Sequence, residues 1–119
     1  MTVVEIADAA HDGTIKGMYV MGENPAMSDP NLNHAREALS RLEHLVVQDI
    51  FFTETSSFAD VILPASAFPE KDGTFTNTDR RVQMGRKAIN PPGEAQQDWW
   101  IIQELAKSCL LYTSDAADE

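Results

Sequence analysis

The chain has little of three things: cysteine, basic residues and long apolar runs. Its 119 residues include one cysteine, Cys109, which excludes an intrachain disulfide and any metal cluster held by several cysteines of this chain. Lysine and arginine number 9 against 19 aspartates and glutamates, for a formal net charge of −10. Binding to a nucleic-acid backbone needs clustered Lys and Arg, so we expect no nucleic-acid partner.

Apolar runs are too short for a membrane span, which needs about 18 consecutive residues or more. The N-terminus also lacks the basic-then-apolar pattern of a signal peptide. We therefore expect no membrane span and a cytoplasmic location. Since 43% of the residues are hydrophobic, a chain of this length can still bury the modest core of one small domain.

Helical and extended patterns alternate along the chain. Thr2 and Glu5 have the spacing of a capping box before a helix, and Asp29 is predicted to cap a second helix whose apolar residues include Ala35 and Leu39. Short apolar runs at 15–21, 45–48 and 61–63 predict strands, 70–77 predicts a polar loop or hairpin, and Asp98 is predicted to cap a last helix, with Trp99, Ile102, Leu105 and Ala106 on one face. This alternation predicts an α/β fold with a parallel sheet and right-handed crossovers.

Ligands of open α/β sheets bind outside the carboxyl ends of the strands. Here those ends carry small, acidic and hydroxyl-bearing residues: Gly22, Glu23 and Asn24 after the first strand, Asp49, Thr53 and Thr55 after the second, and Pro64 and Ser66 after the third. Glycine lets a ligand approach the backbone, a carboxylate can accept paired N–H bonds, and hydroxyls at a helix start can hold a phosphate. The pattern indicates a nucleotide site.

Each of these residues also has a purely structural interpretation. The segment 22–25 could be only a turn, and Asp49 could only cap a helix. Thr53 and Thr55 are residue types that commonly cap helices. The three histidines match no metal-ligand spacing, and no Ser/His/Asp order is convincing. We therefore predict no catalytic residue and no metal ligand on this chain, and the spacing alone leaves the nucleotide site open.

Four collinear segments resemble a known enzyme family. They are YVMGENP (19–25), LVVQD (45–49), TETSSFADVILPASAFPE (53–70) and EKDGTFTNTDRRVQ (70–83). Together they resemble the molybdopterin oxidoreductases, most closely the catalytic subunit in the formate dehydrogenase branch, over roughly residues 2–107. The resemblance implies a Rossmann-like parallel sheet flanked by helices that binds molybdopterin guanine dinucleotide carrying molybdenum or tungsten.

The same resemblance implies roles for residues matching the family's motifs. By that match the cofactor-binding residues are Gly22, Glu23 and Asn24 facing the dinucleotide, Asp49 recognising guanine, Thr53 and Thr55 lining the same cleft, and Asp72, Gly73 and Asn77 in the downstream loop. The implied parent oxidises formate to carbon dioxide, with Fe–S clusters and metal ligands in segments that this chain lacks. Its implied partners are the remaining parent domains and electron-transfer subunits, and the segment alone is expected to be inactive.

We interpret residues 1–108 as the cofactor-binding segment. Residues 109–119 read CLLYTSDAADE, which resembles the conceptual translation of a sequencing-library adapter, so we expect a non-native tail. One alternative is a piece of the large Fe–S subunit of NADH-quinone oxidoreductase, although GENPAMSDPN (22–31) favours the formate branch. Another is a free-standing α/β nucleotide-binding or signalling module, although the chain lacks a phosphate-loop glycine pattern.

Overall fold

The computed structural model describes residues 1–109. Positions 110–119, which hold all but the first residue of the predicted tail, lie outside the described residues. The chain divides into two compact units, Met1–Leu63 and Pro64–Glu119.

The first unit alternates helices and strands as predicted. Its elements are α1 (Val3–His11), β1 (Gly17–Met21), α2 (Pro25–Ser28), α3 (Leu32–Ser40), β2 (His44–Asp49), a 3₁₀ helix (Thr55–Phe58) and β3 (Val61–Pro64), whose last residue begins the second unit. The strands form one sheet in the order β1-β2-β3. β1 pairs with β2 in parallel, with Gly17 opposite His44 and Met21 opposite Gln48. The predicted α/β class with a parallel sheet is confirmed.

Local side-chain bonds decide where the first helices begin. The capping box of α1 is present, because Thr2 Oγ1 accepts from the Glu5 backbone N–H and the Glu5 carboxylate accepts from Thr2 N. The predicted cap of α3 at Asp29 is wrong, since that helix has Asn31 as its N-cap. Asp29 Oδ1 instead accepts from Asn31 N at 2.8 Å, so the carboxylate closes a tight turn before the helix.

The core of the first unit lies against the central strand β2. Leu45, Val47 and Gln48 of that strand are almost fully buried, as expected for a strand covered on both faces. The apolar stripe predicted on α3 faces inward, since Ala35 and Leu39 are buried. The core cluster consists of Val20, Ala26, Leu39, Leu45 and Val47. Fully burying a side chain such as Leu or Val stabilises the fold by roughly 1.5–3 kcal/mol.

The second unit contains a short 3₁₀ helix (Phe68–Glu70), an antiparallel hairpin of β4 (Gly73–Thr76) and β5 (Val82–Gly85), and α4 (Asp98–Ser108). The hairpin pairs Gly73 with Gly85 and Thr76 with Val82. The segment 70–77, predicted as a loop or hairpin, therefore supplies only the first strand, and the second strand lies beyond it. A Cβ on Gly85 would lie 2.2 Å from the Phe75 ring. A residue with a side chain therefore cannot replace Gly85 unless that ring moves.

α4 has Gln97 as its N-cap rather than the predicted Asp98. The Asp98 carboxylate is engaged by Lys71 Nζ at 2.5 Å, which explains why it does not close the helix end. The predicted apolar face is largely exposed: Trp99, Ile102 and Leu105 have 59%, 46% and 42% of their surface accessible, whereas the neighbouring Ile101 is buried. Among residues 1–109, no helix combines the length and apolar character needed to cross a bilayer.

Candidate functional site

The carboxyl ends of β1 and β2 lie side by side at one edge of the parallel sheet. The register places Met21 opposite Gln48, and Gly22 N continues the ladder by donating to the Gln48 carbonyl at 2.9 Å. The two segments predicted to carry ligand-binding residues therefore begin at the same edge.

Gly22 leaves open space at the end of β1. Its φ of 64° lies in the left-handed region, and a Cβ built on it would meet no heavy atom within 4 Å. Residues with a side chain are strained in this conformation. Glycine here thus combines a sharp change of chain direction with an uncovered backbone, beside the exposed Glu23.

Asn24 and Thr55 join the two strand-end segments directly. Asn24 Oδ1 accepts from Thr55 Oγ1 at 2.7 Å and from Thr55 N at 3.2 Å. Thr55 Oγ1 in turn accepts from Ala26 N at 3.1 Å, and Thr55 is fully buried. We call this set of bonds the Asn24–Thr55 clasp. The side chains of Asn24 and Thr55 bond to each other, so they hold the segment after β1 against the segment after β2.

Glu54 fixes the orientation of the Asn24 amide. Asn24 Nδ2 donates to Glu54 Oε2 at 2.7 Å, and this hydrogen bond is the main cause that lowers the pKa of the Glu54 carboxyl. The charge of Arg36 also lowers that pKa, while Arg36 Nε donates to the Ala26 carbonyl at 2.9 Å. Sequence reasoning missed Glu54, because nothing in a hydroxyl-rich turn distinguishes it from a solvated surface acid.

Asp49 ends β2 with its carboxylate held against the following backbone. Asp49 Oδ1 accepts from Ile50 N at 2.6 Å and from Phe51 N at 3.4 Å. The side chain remains partly exposed. These bonds close a local turn rather than cap a helix, since the helix that follows (Thr55–Phe58) has Glu54 as its N-cap. They also fix the position of the carboxylate at the edge of the sheet.

Thr53 is part of a reciprocal arrangement with Ser56. Thr53 N donates to Ser56 Oγ at 3.2 Å, and Ser56 N donates to Thr53 Oγ1 at 3.3 Å. Thr53 is partly buried, whereas Ser56 is buried. The N-cap of the 3₁₀ helix is Glu54 rather than Thr53, and no side-chain bond caps it, so the capping interpretation of Thr53 is wrong. The contact of Thr53 with a cofactor stays a prediction.

The predicted residues of the second unit lie at both ends of β4. Asp72 and Gly73 stand at its start, where Asp72 Oδ1 accepts from Lys87 N at 2.9 Å. Asn77 follows its end, and its carbonyl accepts from Arg80 N at 2.8 Å. Since a strand rises about 3.3 Å per residue, roughly 13 Å separates Gly73 from Asn77. One small chemical group would not contact all three residues.

A concave pocket of about 470 Å³ lies in the first unit between α1, β1 and the α2–α3 region. Apolar side chains such as Ile6, Met18 and Leu39 line it, and Glu23 is the predicted site residue that reaches it. Sequence reasoning missed this pocket because the apolar face of α1 has the pattern of an ordinary core helix. Its lining suits an apolar group better than a phosphate.

A polar cluster joins α1 to α3 away from the strand ends. His34 Nε2 lies 2.8 Å from Asp8 Oδ1, and His11 Nε2 lies 3.4 Å from Glu37 Oε2. Within residues 1–109, no group of three or more His, Cys, Asp or Glu side chains is arranged to hold a metal ion. The cluster connects side chains of α1 with side chains of α3.

The chain is similar in sequence to curated proteins that are named as formate dehydrogenases. The chain is 58% identical over 107 residues to an F420-dependent formate dehydrogenase subunit alpha of Methanocaldococcus jannaschii, covering 90% of this chain and 16% of that one. It is 50% identical over 103 residues to YrhE, a putative formate dehydrogenase of Bacillus subtilis, covering 87% and 10%. The chain thus spans about a sixth or less of the length of these relatives.

A solved structure supports the fold independently. Acetylene hydratase from Pelobacter acetylenicus superposes with a TM-score of 0.81 at 24% identity, over 91% of this chain and 16% of that one. At this identity the likeness concerns the fold alone. The model of the molybdopterin oxidoreductase family matches residues 1–108, which span both units up to the end of α4. With its parallel sheet and its strand-end motifs, the chain belongs to the molybdopterin oxidoreductase family.

Proposed function

We propose that this chain is a cofactor-binding segment of a larger formate dehydrogenase catalytic subunit, and that it binds the guanine dinucleotide end of a molybdopterin cofactor. The observation that carries the proposal is the edge of the sheet in the first unit. There an uncovered left-handed Gly22, the carboxylate of Asp49 and the Asn24–Thr55 clasp are brought together on two adjacent parallel strands.

These residues fit a dinucleotide chemically. The open backbone at Gly22 allows close approach of a phosphate or ribose. The fixed carboxylate of Asp49 can accept the two N–H bonds that the edge of guanine offers. Because Asn24 and Thr55 bind each other, we assign them a positioning role, with Glu23 and Thr53 as the nearer candidates for direct contact. In the second unit, Asp72, Gly73 and Asn77 stay proposed contacts of a dinucleotide.

The bound molybdenum or tungsten centre would supply the two-electron redox chemistry of formate oxidation, which yields carbon dioxide, a proton and two electrons. The segment's own residues would hold and orient the organic part of the cofactor. Fe–S clusters would be held elsewhere in the parent, since this chain has one cysteine. We place the parent in the cytoplasm, in a complex with electron-transfer subunits.

The formate dehydrogenase names of the relatives support this branch over the large Fe–S subunit of NADH-quinone oxidoreductase. The small share of those relatives that the chain covers supports a segment of a larger enzyme over a free-standing nucleotide-binding or signalling module. A parent-length gene product that contains this segment is therefore the object to test.

The test is Asp49→Asn in the parent enzyme. Asparagine retains an oxygen that can close the same local turn but replaces the second acceptor oxygen by a donor. That donor would face the guanine donors, at a cost of roughly 1–3 kcal/mol. We expect less guanine nucleotide released on acid treatment of the purified enzyme and proportionally lower metal content. Formate oxidation per loaded enzyme should change much less.

Asp29→Asn is the matched control. Asp29 Oδ1 also accepts from a nearby backbone N–H, that of Asn31 at 2.8 Å, but it lies between α2 and α3. This variant should keep its nucleotide content. If Asp49→Asn retained full nucleotide and metal content yet lost turnover, Asp49 would belong to catalysis and the proposed role would be wrong.

A further inference from the structure

The lysines and arginines without an ion pair are concentrated on the hairpin of the second unit. Five of the nine in the chain pair with carboxylates of residues 1–109, which leaves four. One of these, Arg36, donates to the Ala26 carbonyl. The other three are Arg80, Arg86 and Lys87, which lie on either side of β5. Acidic residues outnumber basic ones 19 to 9, so these cations lack partners among residues 1–109 because of where the fold places them.

The turn of the hairpin carries two adjacent arginines. Arg81 Nε lies 3.7 Å from Asp79 Oδ2, and the two side chains are 74% and 56% exposed. An ion pair this exposed is weak, so Arg81 can also bind an external carboxylate. The neighbouring Arg80 has a φ of 63°, where glycine would be unstrained. A strained residue that persists points to a need for its side chain.

An open face of the hairpin lies between the cations of the turn and those after β5. Val82 and Met84 expose 64% and 66% of their surface. They pair with Thr76 and Thr74 of β4, and directly paired residues of antiparallel strands lie on the same face. Both threonines are exposed as well. We call these four residues, together with the four flanking cations, the hairpin face.

We propose that the hairpin face docks an extended acidic segment of a partner protein. The charges define the partner, because a surface with open cations is complementary to carboxylates. Arg81 and Arg86 flank β5 and, at about 3.3 Å per residue, their backbones lie roughly 17 Å apart. An extended segment with acidic residues at both ends would span this distance and place alternate apolar residues over Val82 and Met84.

The spacing and the apolar middle of the face distinguish this partner from other anions. A single phosphate is too small to reach the cations at both ends of β5. A nucleic-acid backbone would present charges to Val82 and Met84, and the net charge of −10 would repel it. The proposal uses none of the residues assigned to the dinucleotide, so it stands or fails independently of the proposed function.

The test uses the 119-residue chain and synthetic peptides as probes. The matched peptide has a glutamate pair at each end of an alternating Thr–Val stretch, with the pairs separated as Arg81 and Arg86 are. The clustered peptide has the same composition with all glutamates at one end, and the reversed-charge peptide has lysine in place of glutamate. Inorganic pyrophosphate is the phosphate probe. Calorimetry measures binding, and NMR shifts of the backbone amides locate it.

We expect the matched peptide to bind more tightly than the clustered one, to shift amides of β4 and β5, and to weaken as salt is added. Arg80→Gly should weaken its binding by roughly two- to fivefold, the range for an exposed charge pair, although the fold gains in stability. Arg86→Gln should weaken it to a similar extent. Lys107→Gln removes the same charge from α4, where Lys107 pairs with Glu104, and should leave binding unchanged. Circular dichroism and thermal unfolding check that each variant is folded.

Several outcomes would overturn the docking proposal. These are equal binding of the matched and clustered peptides, equal effects of Arg80→Gly and Lys107→Gln, or no peptide binding at all. The proposal also fails if the reversed-charge peptide binds as well as the matched one, since charge would then not select the partner. Displacement of the matched peptide by pyrophosphate would assign the cations to a phosphate instead. None of these results bears on nucleotide loading at the strand ends, which Asp49→Asn tests separately.

Discussion

The Asn24 amide oxygen and the Thr55 hydroxyl lie 2.7 Å apart and connect two loops that are 31 residues apart in sequence. Each loop follows a strand of the parallel sheet, so this single contact fixes the spacing of the two strand ends. The hydroxyl also accepts from Ala26 N, which ties α2 to the same point.

Thr55→Val should destabilise the chain by about 1–3 kcal/mol, because valine has nearly the same shape but leaves the buried Ala26 N–H without its acceptor. It also removes one of the two donors to Asn24 Oδ1. The free energy of unfolding in denaturant measures this. Thr74→Val is the matched control, since Thr74 is exposed on β4 and a surface change is worth within about 0.5 kcal/mol. Equal effects of the two substitutions would show that the clasp does not stabilise the sheet edge.

Glu54 should titrate below the ordinary glutamate pKa of 4.5, because the Asn24 amide bonds to its carboxylate. A carboxyl whose folded pKa is lowered stabilises the fold fully above its ordinary value. That contribution is lost as the pH falls through the lowered value. NMR of the labelled carboxyl carbon reads the midpoint directly.

Asn24→Ala should raise the Glu54 midpoint, while Asn33→Ala, on the exposed side of α3, should leave it unchanged. If the Glu54 midpoint stayed low in Asn24→Ala, the lowered pKa would be due to the charge of Arg36 or to the backbone hydrogen bond of Glu54 instead.

Arg80→Gly should stabilise the hairpin. Arg80 has a φ of 63° without being glycine, a conformation that costs an ordinary residue about 1–2 kcal/mol. Glycine removes this strain but loses up to about 1 kcal/mol through a more flexible unfolded chain. The expected net gain, up to about 1 kcal/mol, is measured by thermal unfolding. Arg81→Gly, where φ is not positive, should give no gain, and a loss at both positions would refute the strain.

The exposed face of α4 should cause self-association of the isolated chain, since Trp99, Ile102 and Leu105 are uncovered together. Ile102→Glu should shift the chain towards monomer in sedimentation velocity. Ser108→Glu adds the same charge near the end of the same helix, where Ser108 is exposed and polar, and should have little effect. A monodisperse monomer before any substitution would contradict the prediction.

Sequence reasoning predicts the features that depend on neighbouring residues or on apolar period. The capping box of α1, the three strands of the parallel sheet and the inward stripe of α3 are of this kind. The meeting of Gly22 and Asp49 at one edge also follows from sequence, because parallel strands end together.

The errors at polar residues have a common physical cause. These side chains form hydrogen bonds and ion pairs with residues that are distant in sequence, and local spacing does not predict such partners. Glu54 binds Asn24 across 30 positions. Spacing predicts Asp98 as the cap of α4, but Asp98 pairs with Lys71, which is 27 positions away. Strand β5 has no sequence signal because most of its side chains are exposed, so no apolar alternation marks it.

Gly85 fixes the register in which β4 and β5 pair. The Phe75 ring occupies the space that a side chain at position 85 would fill, and it meets the Phe68 ring edge-on at 6.3 Å. If β5 slipped by one residue, Met84 or Arg86 would come under the ring and displace it. Backbone hydrogen bonds alone would allow more than one register for the two strands. The observed register is favoured because glycine, which has no side chain, lies under the Phe75 ring.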